Sequence, residues 1–371
     1  MMHYKLLTPG PLTTTDSVKQ SMLRDYCTWD DEYKTLVEDL RAKLLQVNGL
    51  NSSIYTTILM QGSGSFGVES VITSALNSSD KLLVLGNGAY GRRIEEIAVK
   101  AGKNITALHF ADTEIVDPEK VDLFLAEHRD VTHVAFVHCE TTTGILNPLE
   151  ALCDVVKKHN KTLIVDAMSS LGGVPIDIAA RQIDFIISSA NKCIQGVPGF
   201  SFIIARISEL EKCQGVSTSL SLDLYDQWAT MQSDCGKWRF TSPTHVVRAF
   251  YQALNELIEE GGIEARFARY SENQNTLVQH MTRIGFKCCL DPQFHSPIIT
   301  TFLYPESPEF TFQRFYDYLK QYGFIIYPGK LSNLQVFRIG NIGEIYKEDI
   351  IILTAIIEKF YKEELNGGTD E

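Results

Sequence analysis

The sequence predicts an α/β protein: a mainly parallel sheet of seven strands in a large domain, and a smaller α+β domain after it. Three observations point there. Apolar segments rich in β-branched residues alternate with helical patterns from about residue 54 to 205. Those segments are nearly continuous apolar runs, as expected of strands covered on both faces. The texture changes after about residue 260, where Gly261-Gly262 closes a long amphipathic stretch.

The strands are expected over residues 55–60, 81–85, 105–110, 133–137, 162–165, 185–187 and 200–205, with helices over 69–76, 92–100, 118–127 and 149–159 between them. Repeated β-α alternation of this kind builds a parallel sheet with helices on both sides. A long helix over 243–260 follows, then helices over 263–284, 311–322 and 347–365 and short strands over 298–302, 324–327 and 335–339. The division expected is a large domain of residues 16–260 and a small one of 1–15 and 261–371. Residues 366–371 are polar and read as a frayed tail.

Composition narrows the function. The chain has 371 residues, 44% hydrophobic and 22% charged, with a net charge of −12. Such an acidic chain argues against nucleic acid and anionic membranes as partners, and means that an anionic substrate needs a locally positive site. The eight cysteines are scattered without a CxxC, and the nine histidines lack paired-ligand spacing. No metal site is expected, and the thiols read as reduced, in the cytoplasm. The start shows no apolar signal segment and no run approaches a membrane span.

Ligands of parallel sheets sit at the carboxyl ends of the strands. Gly62–Gly67, Gly86–Tyr90, Glu140–Thr143, Asp166 and Lys192 all fall there. One lysine and one acid at neighbouring strand ends suit pyridoxal phosphate (PLP). The lysine holds the aldehyde as a Schiff base, and the acid keeps the pyridine nitrogen protonated. The plain alternatives are a solvated loop lysine and an acid that caps a helix, since Ser169 and Ser170 follow Asp166.

Gln61-Gly62-Ser63-Gly64-Ser65-Phe66-Gly67 follows a strand and fits GxGxxG. A dinucleotide fold needs an acid at the end of the next strand. Here that strand ends Leu85-Gly86-Asn87-Gly88, and Asp80 lies at its other end. A cradle for a single phosphate fits better, although a nicotinamide dehydrogenase and a catalytically silent binding protein stay open as rivals.

With these elements in place, the chain resembles the class V aminotransferases, PLP enzymes with the large- and small-domain fold of aspartate aminotransferase. Within them it is similar to the branch that acts on 2-aminoethylphosphonate and pyruvate. The resemblance rests on the stretches 7–15, 25–30, 61–66, 138–144, 165–170, 191–200 and 337–343, which span nearly the whole length. It implies a homodimer with shared active sites that converts 2-aminoethylphosphonate and pyruvate to phosphonoacetaldehyde and L-alanine. An alanine- or serine-to-glyoxylate transaminase is the nearest rival.

The resemblance also implies roles. Lys192 and Asp166 are catalytic. Ser63, Gly64 and Ser65 hold the PLP phosphate with Asn191 beside it. Tyr90 and Met168 pack the ring faces, and Thr141 bonds the 3-oxygen side. Tyr90 reads equally as an ordinary buried aromatic. Trp238 and Thr241 match the segment that reaches the neighbouring subunit's phosphate, with Trp238 standing where relatives carry a tyrosine. Arg338 is the candidate for binding substrate anions, against a surface ion-pair role. Lys330 could add positive charge, and Thr13-Thr14-Thr15 reads as a helix cap rather than a phosphonate contact.

Overall fold

A computed structural model describes residues 4–329, 331 and 334–365, so the expected tail at 366–371 lies outside the described residues. Seven strands form one sheet: β1 (Tyr55–Gln61), β2 (Leu82–Gly86), β3 (Ile105–His109), β4 (His133–Val137), β5 (Thr162–Asp166), β6 (Phe185–Ser189) and β7 (Phe200–Arg206). Their order is β1-β7-β6-β5-β4-β2-β3. Every adjacent pair is parallel except those made by β7, which runs antiparallel to β1 and β6. The direction of travel across the sheet reverses between β2 and β4. A crevice opens at such a switch point, outside the carboxyl ends of the strands.

Successive strand residues feed opposite faces. Leu83, Leu85, Phe136, Leu163, Val165 and Ile186 join one apolar layer, and their neighbours Leu82, Val84, Val137, Ile164 and Ile187 join the other. Both layers are dry because helices cover both. Helices α1 (Asp31–Val47), α4 (Pro118–Glu127), α5 (Leu149–Lys158) and α7 (Thr244–Glu260) supply buried residues to the first face. Helices α2 (Gly64–Ala75) and α3 (Ala89–Lys100) supply them to the second.

The helix expected over 69–76 begins earlier, at Gly64, because the glycine-rich turn is itself the first turn of α2. Helix α1 and helix α6 (Leu224–Ser233) were not among the expected elements. The signal for α1 was present: Asp30 accepts from Glu32 N–H as its N-cap, and Tyr33, Val37, Leu40 and Leu44 recur on one buried face.

A second layer system follows. Strands β8 (Ile299–Leu303), β9 (Tyr327–Pro328) and β10 (Val336–Gly340) form an antiparallel sheet in the order β8-β10-β9, packed by helices α8 (Gly262–Ile284), α9 (Phe312–Gln321) and α10 (Lys347–Phe360). Its core is unusually aromatic: Phe286, Phe302, Phe310, Phe315, Phe337 and Phe360 are all buried in one cluster. The single strand expected over 324–327 is two. Phe324–Ile325 pairs in parallel with Lys5–Leu6, and Tyr327–Pro328 pairs with β10. The helix expected to reach 365 ends as an α-helix at Phe360.

The two systems meet in a small mixed core of Leu12, Cys139, Val174, Cys193, Tyr270, Ile298 and Ile342. It lies directly under the segment that carries Lys192.

Close packing of α3 on β2 depends on Gly91. A Cβ there would come within 2.8 Å of the Gly86 Cα, which is backbone and cannot swing aside. Gly91→Ala is therefore expected to destabilise the protein by about 1–3 kcal/mol, measured as a lower urea midpoint. An unchanged midpoint would mean that α3 can move off the sheet freely.

Candidate active site

A cavity of about 200 Å³ opens at the carboxyl edge of the sheet, beside the switch point. The turn after β1 contributes Ser63, Gly64 and Ser65 to its wall. Helix α3 contributes Tyr90 and Arg93. The turns after β5 and β6 contribute Asp166, Met168, Asn191 and Lys192. Eight of the twelve residues singled out in the sequence therefore line one cavity.

Lys192 is fixed from both sides. Its Nζ donates to the Pro9 carbonyl at 2.6 Å. Gly10 packs on its side chain, and a Cβ there would meet Lys192 Cδ at 2.8 Å. Gly10 also sits at φ +112°, a left-handed conformation that favours glycine. Beneath, the Cys193 carbonyl accepts from Arg266 Nη1 at 2.7 Å and from the Tyr270 hydroxyl at 3.3 Å. The Tyr270 hydroxyl in turn accepts from Gln195 Nε2 at 2.7 Å. Burial lowers the Lys192 pKa below lysine's usual value, against the opposing pull of Tyr90 and Asp166. A lysine with a lowered pKa is more readily neutral, the form that acts as nucleophile and base.

Asp166 ends β5, between Val137 of β4 and Ile187 of β6 in register. Its Oδ1 accepts from the Met168 N–H at 2.9 Å, so it does cap the following turn. That is the one hydrogen bond its carboxylate makes among the described residues. Burial pushes its carboxyl up to about 6, opposed by the Met168 N–H and by the Lys192 and Arg93 charges. The site thus holds an acid with no ion-pair contact among the described residues, only the more distant charges of Lys192 and Arg93.

Glu140 was placed at the ligand edge from the sequence but given no role there. It is fully buried. Its Oε2 accepts from Tyr90 N–H at 3.0 Å and Gly91 N–H at 3.4 Å, the free donors at the start of α3. Its Oε1 accepts from the Thr142 hydroxyl at 2.6 Å and the Thr142 N–H at 3.3 Å. Burial still raises its pKa despite these donors. Glu140 therefore sets where Tyr90 stands over the cavity. An acid directly after a central apolar strand was the available signal.

The phosphate turn is open. Ser63 is the N-cap of α2, yet its side chain makes no capping bond. Gly64 is pressed by Met168, whose sulfur would lie 2.3 Å from a Cβ. Backbone N–H groups at a helix start with neighbouring hydroxyls suit a phosphate.

Four of the expected residues lie off the cavity wall. Thr141 is buried with its hydroxyl unpartnered, and its carbonyl accepts from Arg338 Nη1 at 2.7 Å. Trp238 is buried edge-on against Phe200, with its indole N–H unpartnered. Thr241 is exposed. Arg338 sits within β10 and is only 1% exposed. Its Nε donates to the Pro328 carbonyl at 3.0 Å, and its Nη2 makes no hydrogen bond among the described residues. Arg338 thus ties β10 to the turn that holds Tyr90, without lining the cavity. Lys330 lies outside the described residues. Thr15 caps the helix Asp16–Gln20 through the Val18 N–H, as the cap reading expects.

The residues fit PLP. A lysine, a buried acid with no ion pair among the described residues and an uncapped helix start share one cavity, and the buried Thr141 hydroxyl has no partner among those residues. A protonated ring nitrogen would supply Asp166 with its missing counter-charge.

The chain matches the family described as aminotransferase class V over residues 17–333. It is 58% identical over 360 residues to the 2-aminoethylphosphonate–pyruvate transaminase of Bacteroides fragilis, covering 97% of this chain and 99% of that protein. It is 55% identical over 357 residues to a bifunctional phosphonoacetaldehyde hydrolase/aminoethylphosphonate transaminase of Clostridioides difficile, covering 96% of this chain and 56% of that protein. In structure it is similar to the ureidoglycine–glyoxylate aminotransferase of Bacillus subtilis. The TM-score is 0.90 at 23% identity, over 99% of this chain and 95% of that one.

The carboxyl of Asp166 gives a signed pH prediction. Its folded pKa of about 6 lies above the ordinary 3.8, so the cofactor-free folded state binds the proton more tightly than the unfolded chain. Stability from this group is full below about pH 4 and is lost as pH rises through about 6, by about 3 kcal/mol in all. Cofactor-free Asp166→Asn is expected to resist urea better than cofactor-free wild type at about pH 7.5, with the gap closing near pH 4. Equal midpoints at both pH values would contradict the burial cost.

Proposed function

The chain belongs to the class V aminotransferases, and from that premise we propose that it moves the amino group of 2-aminoethylphosphonate to pyruvate, giving phosphonoacetaldehyde and L-alanine. The observation that carries the reading is near-full-length identity above one half to the Bacteroides fragilis transaminase. The glyoxylate enzymes enter through a structural likeness at 23% identity, which speaks for the fold alone. The reaction starts phosphonate degradation, and the fused hydrolase of the Clostridioides difficile relative fits a following step that cleaves the carbon–phosphorus bond.

PLP supplies an aldehyde that condenses with amines and a cationic ring that withdraws electrons from the attached carbon. The chain's own groups do the rest. Asp166 holds the ring nitrogen protonated. Lys192 Nζ takes the proton from the substrate carbon bearing the amine and returns it at the former aldehyde carbon. Its lowered pKa keeps more of the amine neutral to take the first proton, and makes the ammonium a readier donor for the second. That substrate carbon carries no carboxylate, so loss of carbon dioxide does not compete. Tyr90 and Met168 pack the ring, and Ser63, Gly64, Ser65 and Asn191 hold the phosphate. Thr141 serves the 3-oxygen with its unpartnered hydroxyl. Arg338 receives phosphonate and carboxylate in turn through the edge that Nη2 leaves open, and guanidinium suits both anions.

The assembly is a homodimer with shared sites. An apolar cleft lined by Phe66, Leu222, Trp238 and Phe240 lies beside Gly62 of the phosphate turn. Phe66 and Phe240 are about half exposed there, at 50% and 48%, and exposed Thr241 follows. A second copy covers this cleft and brings Thr241 to its neighbour's phosphate, while Trp238 acts from behind as a packing residue. The domains are residues 16–260 and 1–15 with 261–371, a division supported by pairing of Lys5–Leu6 with Phe324–Ile325. The protein works in the cytoplasm. Eight unpaired cysteines support this, and no helix among the described residues is long and apolar enough to cross a membrane.

L-alanine formation from 2-aminoethylphosphonate and pyruvate by the purified chain tests the reading. Lys192→Ala should lose at least about a hundredfold in turnover together with the visible absorbance of bound PLP. Arg338→Ala should lower kcat/KM for donor and acceptor alike by about ten- to a hundredfold. A loss confined to one of the two would contradict a shared anion site.

A further inference from the structure

Arg93 has no place in the reaction derived above, yet it stands on the wall of the same cavity. It follows Tyr90 by three residues on α3, so both project from one side of that helix. Two contacts fix its guanidinium. Nη1 donates to Ser65 Oγ at 3.3 Å, and Cζ lies 4.8 Å from the centroid of the Tyr90 ring. The group is thereby held between the residue that packs the cofactor ring and the turn that holds the cofactor phosphate.

Its charge helps hold the Asp166 pKa down from a distance, but makes no contact pair. Among the described residues no carboxylate lies within ion-pair distance of Arg93. The adjacent Arg92, by contrast, pairs with Asp112 at 2.8 Å. Arg93 is itself exposed, so its guanidinium stays solvated while it reaches the cavity wall. The phosphate turn needs such a charge. Helix α2 offers neutral N–H donors and a dipole worth about half a charge, and the Ser63 hydroxyl is free of capping. A phosphate carries more charge than that, and a buried acid, Asp166, lines the same cavity.

We propose that Arg93 is the counter-charge of the cofactor phosphate, joined to it alongside Ser65 and braced flat against Tyr90. The inference rests on the reading of this cavity as a PLP site. Guanidinium suits the task better than ammonium, because one planar group can stack on an aromatic ring and present paired N–H donors to phosphate oxygens. The contact with Ser65, rather than any with Arg338 or Thr141, assigns Arg93 to the phosphate end and not to the substrate's distal anion.

The test compares PLP with pyridoxal, which has the same ring and aldehyde but no phosphate. Release of PLP from full-length holoenzyme, and rebinding of PLP or pyridoxal by the same chain, are followed by visible absorbance without any amine substrate. Arg93→Gln should weaken PLP binding by about ten- to a hundredfold and leave pyridoxal binding unchanged, with Arg93→Lys in between. Inorganic phosphate should also compete with pyridoxal phosphate less well in Arg93→Gln. Unchanged PLP binding would overturn the proposal, as would equal weakening of PLP and pyridoxal, which would mean that Arg93 acts through the Tyr90 ring. Normal PLP binding with a raised KM for 2-aminoethylphosphonate would overturn it in favour of a substrate contact. A wild-type chain that retained no PLP would sink the PLP reading itself, and this proposal with it. A chain that binds PLP but ignores 2-aminoethylphosphonate would leave it standing.

Discussion

A half-buried amine and two buried carboxylates at the ends of adjacent central strands are the constraint on which the rest of this structure depends. Burying charge is costly unless the group is paired, hydrogen-bonded or neutralised. The three groups meet that cost differently. Glu140 is given four donors and becomes part of the frame. Lys192 shifts toward its neutral form and rests on the Pro9 carbonyl. Asp166 is given a single N–H and is left raised to about 6. The unequal treatment separates scaffold from chemistry: the satisfied acid positions, and the unsatisfied acid and amine await a cofactor.

Holding those groups takes both layer systems. The parallel sheet sets the spacing, because β4, β5 and β6 are in register and each ends where a functional residue is needed. The second system supplies the clamp. Arg266 and Tyr270 of α8 bind the carbonyl of Cys193, the residue next to Lys192. Arg338 of β10 binds the carbonyl of Thr141, the residue next to Glu140. Main-chain atoms one residue away from the chemistry are thus gripped by distant side chains, so the Lys192 and Glu140 turns cannot relax independently of the aromatic core behind them.

The seven-stranded sheet and the strand-end positions of Lys192 and Asp166 were legible in the sequence, because continuous apolar strands and polar residues at their ends leave strong local patterns. The resemblance to class V aminotransferases added roles for Tyr90, Met168 and Asn191, all of which line the cavity. Contacts between residues far apart in the chain were not legible. Pro9 over Lys192, Arg266 under Cys193 and Arg338 on Thr141 join segments 73 to 197 residues apart, and no local period encodes them. The role of Glu140 escaped for another reason. Three of its four donors are backbone N–H groups, which every residue carries and no sequence pattern marks.

The most direct test is the half-reaction, followed by absorbance as 2-aminoethylphosphonate is added to purified holoenzyme with no keto acid present. The account predicts that the visible band of bound PLP converts to the shorter-wavelength band of the aminated cofactor, and that glycine and serine leave it unchanged. A PLP band that ignores 2-aminoethylphosphonate and responds to serine would keep the fold and contradict the donor. No PLP band at all would contradict the reading of Lys192 and Asp166 on which the account stands.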